Sequence, residues 1–343
     1  MEKEFLTGSE VVVRACKEAG ARSMYGYPIT PGTEILSHWI LETEKNKDLK
    51  YLQTEDEIAS GFAVCGAVIA GEKSFTATAG PGTVLMQDAM SMADGMRLPF
   101  VAIIAQRGGP SSGTVIYSQQ EVNLAIHGGN GEGMRLVYSP SNLEELYTYT
   151  RKAFNNAWKY RFPAVVLTDG FLLKTKQNIS LNSLNITNET PVALVDEQSQ
   201  KNIRNIYTFE EELREVLENS KKDFLTMAKE VIEYELIHEE GVESCIIAHG
   251  IVAGAAKEAV EILREQGEKV ALFIPKTLSP FPQNKLNEIA KNMHSFFVVE
   301  SSMGQLQDLV KQNLFEAREI KGLFKPAVGI ETEEIVEAFI QSK

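Results

Sequence analysis

The sequence predicts an α/β protein: a doubly wound parallel-sheet domain followed by a smaller α/β unit. Three observations carry that prediction. Short, continuously apolar runs alternate with helical patterns through the first half, and buried parallel strands read in this way. The spacing of the runs is that of repeated β–α units. The alternation stops near Asp169-Gly170 and resumes only at about Glu243. The 343 residues therefore hold more than one folded unit, as a chain of this length can.

In chain order, strands are expected at Ser23–Gly26, Tyr51–Gln53, Ser74–Ala79, Phe100–Gln106, Arg135–Tyr138 and Ala164–Thr168. Helices are expected between them at about Thr33–Glu44, Glu55–Ala70, Thr83–Met96, Gln119–Ala125 and Asn142–Lys159. Gln177 to Thr190 is rich in Asn, Ser and Thr and reads as a linker. Phe209–Ile237 is highly charged, with Leu213, Val216, Leu217, Phe224, Met227 and Val231 at helical spacing, and reads as an exposed connecting helix or pair. The second unit is expected to hold strands at Ser244–Ala248, Lys269–Phe273 and Ser295–Val299, with helices at Ala253–Gln266, Gln283–Asn292 and Leu306–Glu316. The expected division is 1–175 for the first domain, 176–240 for the linker and connecting helices, and 241–343 for the second domain.

Composition narrows the function classes. The formal net charge is −13 and no Lys/Arg run occurs, so neither nucleic-acid backbone nor anionic membrane is an expected partner. The three cysteines, Cys16, Cys65 and Cys245, form no CxxC pair. That argues against a disulfide framework, a zinc site or an iron–sulfur cluster held by this chain, and a reducing cytoplasm is the expected compartment. The N-terminal stretch MEKEFLTGSE is polar and charged, unlike a secretory signal. The small-apolar stretch from Ile58 to Gly71 falls short of the ~20 residues that span a bilayer.

Four clusters lie where expected strands end, the edge at which open α/β sheets bind ligands. In Gly26-Tyr27-Pro28-Ile29-Thr30-Pro31-Gly32-Thr33, two prolines hold Thr30 in a stiff frame. Its hydroxyl could meet a carbonyl or carboxylate, or the loop could be a rigid connection with Thr33 as helix cap. In Glu55-Asp56-Glu57, three acids suit the positive end of a helix dipole. The helix behind them, however, has little bulk at Ala59, Gly61, Ala63, Gly66 and Ala67. Glycines inside a helix cost about 1 kcal/mol each against alanine, which suggests close approach of another backbone or a flat ligand, with Glu57 at its mouth and its pKa raised by burial. Thr78-Ala79-Gly80-Pro81-Gly82-Thr83 runs from a strand into a glycine loop without a P-loop pattern. It is either a tight turn or a place where a cofactor comes close. Arg107 ends an apolar strand and precedes Gly108-Gly109-Pro110-Ser111-Ser112-Gly113, a suitable origin for a guanidinium that grips a carboxylate. The five histidines are scattered without metal spacing, and GxSxG and strand-linked GxGxxG patterns are absent.

Together these clusters resemble the α subunit of 2-oxoacid:ferredoxin oxidoreductases, most closely the 2-oxoglutarate synthase type. The resemblance rests on GYPITPGTEI at 26–35, EDEIASGFAVCGA at 55–67, TATAGPG at 76–82, QRGGPSSG at 106–113, IPKTLSPFP at 274–282 and VVESSMGQL at 298–306. It implies a thiamine-diphosphate pyrimidine-binding domain followed by a transketolase-C-like domain. Carried over position by position, it makes Glu57 the catalytic glutamate that bonds N1′ of the aminopyrimidine. Gly80 and Pro81 would lie against the cofactor, and Thr30 and Arg107 would contact the substrate. The implied reaction is CoA-dependent oxidative decarboxylation of a 2-oxoacid, 2-oxoglutarate first, with electrons passed to ferredoxin. A branched-chain or pyruvate version, or a non-catalytic scaffold of the same fold, are the alternatives.

The sequence has no GDG motif with a following Asn, which thiamine enzymes use to hold Mg²⁺ and diphosphate, and no cysteine cluster. Thiamine diphosphate is thus expected to be shared with a partner β subunit. That subunit would carry the Mg²⁺ and the iron–sulfur cluster, and there is room for γ and ferredoxin-like δ subunits. Gly32, Ala79 and Ser301-Ser302 depart from the family pattern and leave the acid undefined.

Overall fold

The computed structural model describes residues 3–181, 186, 188–195 and 203–343. A seven-stranded sheet forms the first unit. Its spatial order is Thr277–Ser279, Leu136–Tyr138, Ala164–Asp169, Val101–Gln106, Ser74–Thr78, Ser23–Gly26 and Lys50–Gln53. All neighbours are parallel except Thr277–Ser279, which pairs antiparallel with Leu136–Tyr138. The three central strands Ala164–Asp169, Val101–Gln106 and Ser74–Thr78 are wholly buried, the first two as largely apolar runs and Ser74–Thr78 with Ser74, Thr76 and Thr78 among its buried residues. Lys50–Gln53 is different: it is an exposed edge strand with Tyr51 and Leu52 about half exposed.

From Ser23–Gly26 the chain crosses to one side to make Lys50–Gln53 and then to the other to make Ser74–Thr78. This reversal leaves a crevice at the carboxyl ends of those strands. Helices Gly8–Glu18, Thr33–Lys45 and Leu143–Tyr160 cover one face, where Trp39, Phe75 and Phe154 meet edge to face at 5.0 and 6.0 Å. Helix Glu57–Ile69 and helix Gln87–Met96 cover the other.

The second unit is a five-stranded sheet in the order Glu319–Phe324, Ser295–Glu300, Ser244–Ile247, Val270–Pro275, Tyr234–Ile237, with only the last antiparallel. The units clasp each other through the chain around Lys276: Val270–Pro275 lies in one sheet and Thr277–Ser279 in the other. The buried Lys276 ammonium donates to Glu145 at 2.7 Å and lies 3.3 Å from Glu235.

Several elements differ from the sequence reading. Helix Gly8–Glu18 was not expected, although Thr7 and Glu10 form a capping box before Val11, Val12 and Val13. The helix expected over Thr83–Met96 is two, Pro81–Leu85 and Gln87–Met96, broken at Met86. Within 176–240, Lys176–Ile179 pairs with Glu4–Thr7, Glu210–Val231 is one helix, and Tyr234–Ile237 joins the second sheet. Residues 182–185 and 187 of the expected linker lie outside the described residues. Glu319–Phe324 and Thr332–Gln341 extend the second unit beyond the expected elements.

Candidate active site

The crevice is lined by the loops that follow the strands. Helix Glu57–Ile69 begins at its mouth. Asp56 caps it, accepting from Ala59 N–H at 2.8 Å, and Glu55 stays exposed. Glu57 is the first helical residue and only 3% exposed. The Thr78 hydroxyl donates to Glu57 Oε1 at 3.3 Å. Burial pushes the Glu57 carboxyl above its ordinary value, opposed by its own backbone N–H, by Thr78 and by Arg107. A carboxyl in this setting holds a proton at higher pH than a surface glutamate does.

Opposite it runs Gly80-Pro81-Gly82. Gly80 has φ +54° and precedes Pro81, which starts helix Pro81–Leu85. A Cβ on Gly82 would lie 2.1 Å from both Glu57 Oε1 and Thr78 Oγ1. A Cβ on Gly80 would lie 2.6 Å from Arg107 Nε. Both glycines are therefore required by the side chains that pack on them. Arg107 is 7% exposed. Its Nη1 donates to the Thr30 carbonyl at 2.7 Å, and its Nε is buried without a hydrogen-bond partner. Thr30 thus meets Arg107 through its backbone rather than its hydroxyl. Gly32, not Thr33, occupies the cap of the following helix.

The structure therefore brings Thr30, Glu57, Gly80, Pro81 and Arg107 to one crevice. Two carboxyls that sequence reasoning missed join them. Glu121, 5% exposed, accepts from Gly80 N–H at 2.9 Å and Arg107 N–H at 3.0 Å. Asp169 is buried at the end of its strand and accepts from Leu172 N–H at 2.9 Å, and burial raises its pKa to about 7. The only sequence signal for Asp169 is the Asp-Gly that ends the apolar run, and for Glu121 there is none beyond its place at a helix start.

Helix Glu57–Ile69 has two glycines with different surroundings. A Cβ on Gly61 would lie 2.5 Å from Ala89 Cβ, so that glycine lets helix Gln87–Met96 pack closely. Gly66 faces open space, on an exposed apolar stripe with Ile58 and Phe62, 38% and 36% exposed. Among the described residues no cluster of three or more His, Cys, Asp or Glu could hold a metal, and no helix is long and apolar enough to cross a membrane.

Comparison with known proteins bears on this arrangement. A family model described as "Pyruvate flavodoxin/ferredoxin oxidoreductase, thiamine diP-bdg" matches residues 14–246, and one described as "Pyruvate:ferredoxin oxidoreductase core domain II" matches residues 242–332. The chain is 31% identical over 316 residues to the ketoisovalerate oxidoreductase subunit VorB of Methanothermobacter marburgensis, covering 91% of this chain and 90% of that one. It is 30% identical over 323 residues to the 2-oxoglutarate synthase subunit KorA of Archaeoglobus fulgidus, covering 89% and 90%. Among solved structures, the 2-oxoglutarate:ferredoxin oxidoreductase of Magnetococcus marinus, with 2-oxoglutarate, coenzyme A and succinyl-CoA bound, matches with a TM-score of 0.88 at 25% identity. The match covers 99% of this chain, which spans 65% of that longer one. A split-gene transketolase matches with a TM-score of 0.63 at 13% identity, a likeness of fold alone.

Proposed function

The chain belongs to the thiamine-diphosphate-binding subunits of the 2-oxoacid:ferredoxin oxidoreductase family, and we propose that it supplies the pyrimidine-side half of an active site completed by a partner subunit. The observation that carries this reading is the convergence of the buried Glu57 carboxyl and the Arg107 guanidinium on Gly80-Pro81-Gly82. The first domain, over 1–175, is the cofactor-binding part; 241–343 is a second domain tied to it through 176–240.

The residues fit the cofactor. Glu57 is a buried carboxyl at a crevice mouth whose pKa burial raises, and Gly82, where a Cβ would clash with it, lets it lie directly against the Gly80-Pro81-Gly82 backbone. Glu57 would bond the ring nitrogen of thiamine diphosphate, with Gly80 and Pro81 against the ring. When bound, that cofactor supplies the nucleophilic carbon that adds to the keto group of a 2-oxoacid. Arg107 would bind the acid's carboxylate and orient it, and Thr30 would complete the contact. An arginine that holds the ground state too tightly would slow the loss of CO₂, so orientation rather than strong binding is its task. The chain lacks GDG and clustered cysteines, so Mg²⁺, the diphosphate site, the iron–sulfur cluster and the relay to ferredoxin are assigned to partner subunits. The apolar stripe of Ile58, Phe62 and Gly66 runs on from Glu57, and a partner covering it would seal the crevice. The net reaction is 2-oxoacid plus CoA to acyl-CoA and CO₂, with two electrons leaving to ferredoxin, in the cytoplasm.

2-Oxoglutarate is the first choice of substrate on the resemblance of the sequence motifs, while overall identity to a ketoisovalerate and to a 2-oxoglutarate subunit is nearly equal. One observation favours a second reading, a monocarboxylate such as 2-oxoisovalerate. The loops at 26–33, 79–82 and 107–121 carry a single Lys or Arg, Arg107, and a second carboxylate would call for a second cation. Steady-state kinetics of the complex reconstituted with its partner subunits, across pyruvate, 2-oxoglutarate and 2-oxoisovalerate, test both. Turnover of one acid far above the others names the substrate, and turnover of none overturns the assignment.

A further inference from the structure

The carboxylate of Glu121 has no place in the reading above, yet it touches both walls of the crevice. Its Oε1 accepts from Gly80 N–H at 2.9 Å and from Arg107 N–H at 3.0 Å, across 41 and 14 residues of chain. The contact is with the backbone of Arg107. Among the described residues no ion pair engages the Arg107 side chain, whose Nη1 donates to Thr30 and whose Nε has no partner. An acid bonded to the guanidinium itself would compete with a substrate carboxylate for it. Glu121 instead fixes the point from which the side chain springs and, though its charge is felt by the guanidinium, makes no direct bond to it.

The same bond holds Gly80 at positive φ, where Arg107 Nε packs over it and Gly82, two residues on, faces Glu57. Glu121 is itself held from both sides. Its N–H donates to Gln106 Oε1 at 3.3 Å. Just before it, Gln119 exchanges two bonds with Ser301, at 3.0 and 2.9 Å, and donates through Nε2 to the His249 carbonyl at 2.8 Å. Gln305 Nε2 donates to the Gln120 carbonyl at 2.8 Å. The second unit thus anchors the segment that carries Glu121.

We propose that Glu121 is the positioning residue of this site, a single carboxylate oxygen that sets the Arg107 origin and the Gly80 turn in register with each other. The proposal rests on the substrate role given to Arg107, and its test separates the two. In the assembled enzyme, Glu121→Ala is expected to raise KM for the 2-oxoacid roughly 10- to 100-fold, the effect of leaving two buried donors without their acceptor. Glu121→Gln keeps an oxygen for both and should stay within about 3-fold of the parent. In an Arg107→Ala background, Glu121→Ala should change KM less than about 2-fold, because the residue through which it acts is gone. Amide hydrogen exchange gives a readout without substrate: segments 79–85 and 105–110 should exchange faster in Glu121→Ala and at the parental rate in Glu121→Gln. Unchanged exchange in both segments, or KM effects that multiply in the double variant, overturns the proposal. A normal KM in Arg107→Ala with altered exchange in Glu121→Ala would instead remove Arg107 from substrate binding and leave the positioning contact standing.

Discussion

A carboxyl group trades protons usefully near neutral pH only where its surroundings disfavour its charged form. Glu57 meets that condition by burial, while Glu55 is exposed and Asp56 is occupied as the helix cap. Glu57→Gln keeps a hydrogen-bonding side chain but no titrating proton. It is expected to lower kcat of the assembled enzyme on the order of 10²–10⁴-fold with an unchanged thermal midpoint. Glu55→Gln and Asp56→Asn should cost far less, since charge at an exposed helix start contributes ~0.3–1 kcal/mol. Equal losses at all three positions would contradict the role of Glu57. Asp169 makes a separate, pH-dependent prediction. Its folded-state pKa of about 7 stands above the ordinary 3.8, so between those values the folded chain keeps a proton that the unfolded chain has released. The associated stability is full below about pH 3.8 and is lost as pH rises through 7. Asp169→Asn keeps an oxygen for Leu172 N–H and cannot ionise, so its thermal midpoint should gain on the parent steadily from pH 4 to 8; a pH-independent difference would refute the burial argument. Glu57, Thr30 and Arg107 could be singled out from the sequence as candidates because each sits in a local motif. Glu121 could not, because its partners Gly80 and Arg107 come to it only through tertiary folding.

Helix Glu57–Ile69 shows how one element serves packing on one side and exposure on the other. Gly61 lies within contact of Ala89, and Gly66 lies in the open. Both cost helix propensity, but only the first is repaid inside this chain. Gly66→Ala is therefore expected to stabilise the free chain by about 0.5–1 kcal/mol. If a partner packs on Ile58, Phe62 and Gly66, the same methyl should weaken assembly, which titration of the partner against both forms would measure. A free chain made less stable by Gly66→Ala would mean that the glycine answers a backbone need instead. Gly82→Ala should behave oppositely, displacing Glu57 and Thr78 and costing about 1–3 kcal/mol as an overpacked site does, along with activity in the complex. Every strand of the first sheet drawn from the first 170 residues was foreseen, the buried central ones and the exposed edge strand Lys50–Gln53 alike. Helix Gly8–Glu18 was missed although its capping box, Thr7 with Glu10, stands in the sequence. Strand Thr277–Ser279 could not be foreseen, because its three residues are defined by pairing with Leu136–Tyr138 in the other unit.

At the scale of the molecule, the two units are not beads on a string. Lys276 sits between strands of different sheets, and Gln119 and Gln305 tie the 118–123 segment to the second unit. His249, buried at that junction, shares a 2.8 Å hydrogen bond with Ser139 and is held neutral, its pKa lowered by burial to about 3. Yet this well-tied body exposes an apolar stripe beside its crevice, and its sequence carries no GDG motif. On the function proposed above, the chain is organised as half of a site. The expectation is that the purified chain, given thiamine diphosphate, Mg²⁺, CoA and a 2-oxoacid, reduces no artificial electron acceptor. Adding the partner subunit should restore turnover, and Ile58→Asp or Phe62→Asp should block that restoration without lowering the thermal midpoint of the free chain, because each places a charge on a surface that is wet until the partner arrives. Acceptor reduction by the chain alone would show that the second half-site lies within these 343 residues after all. Restoration unaffected by either aspartate would place the partner on another face and leave the crevice to be closed some other way.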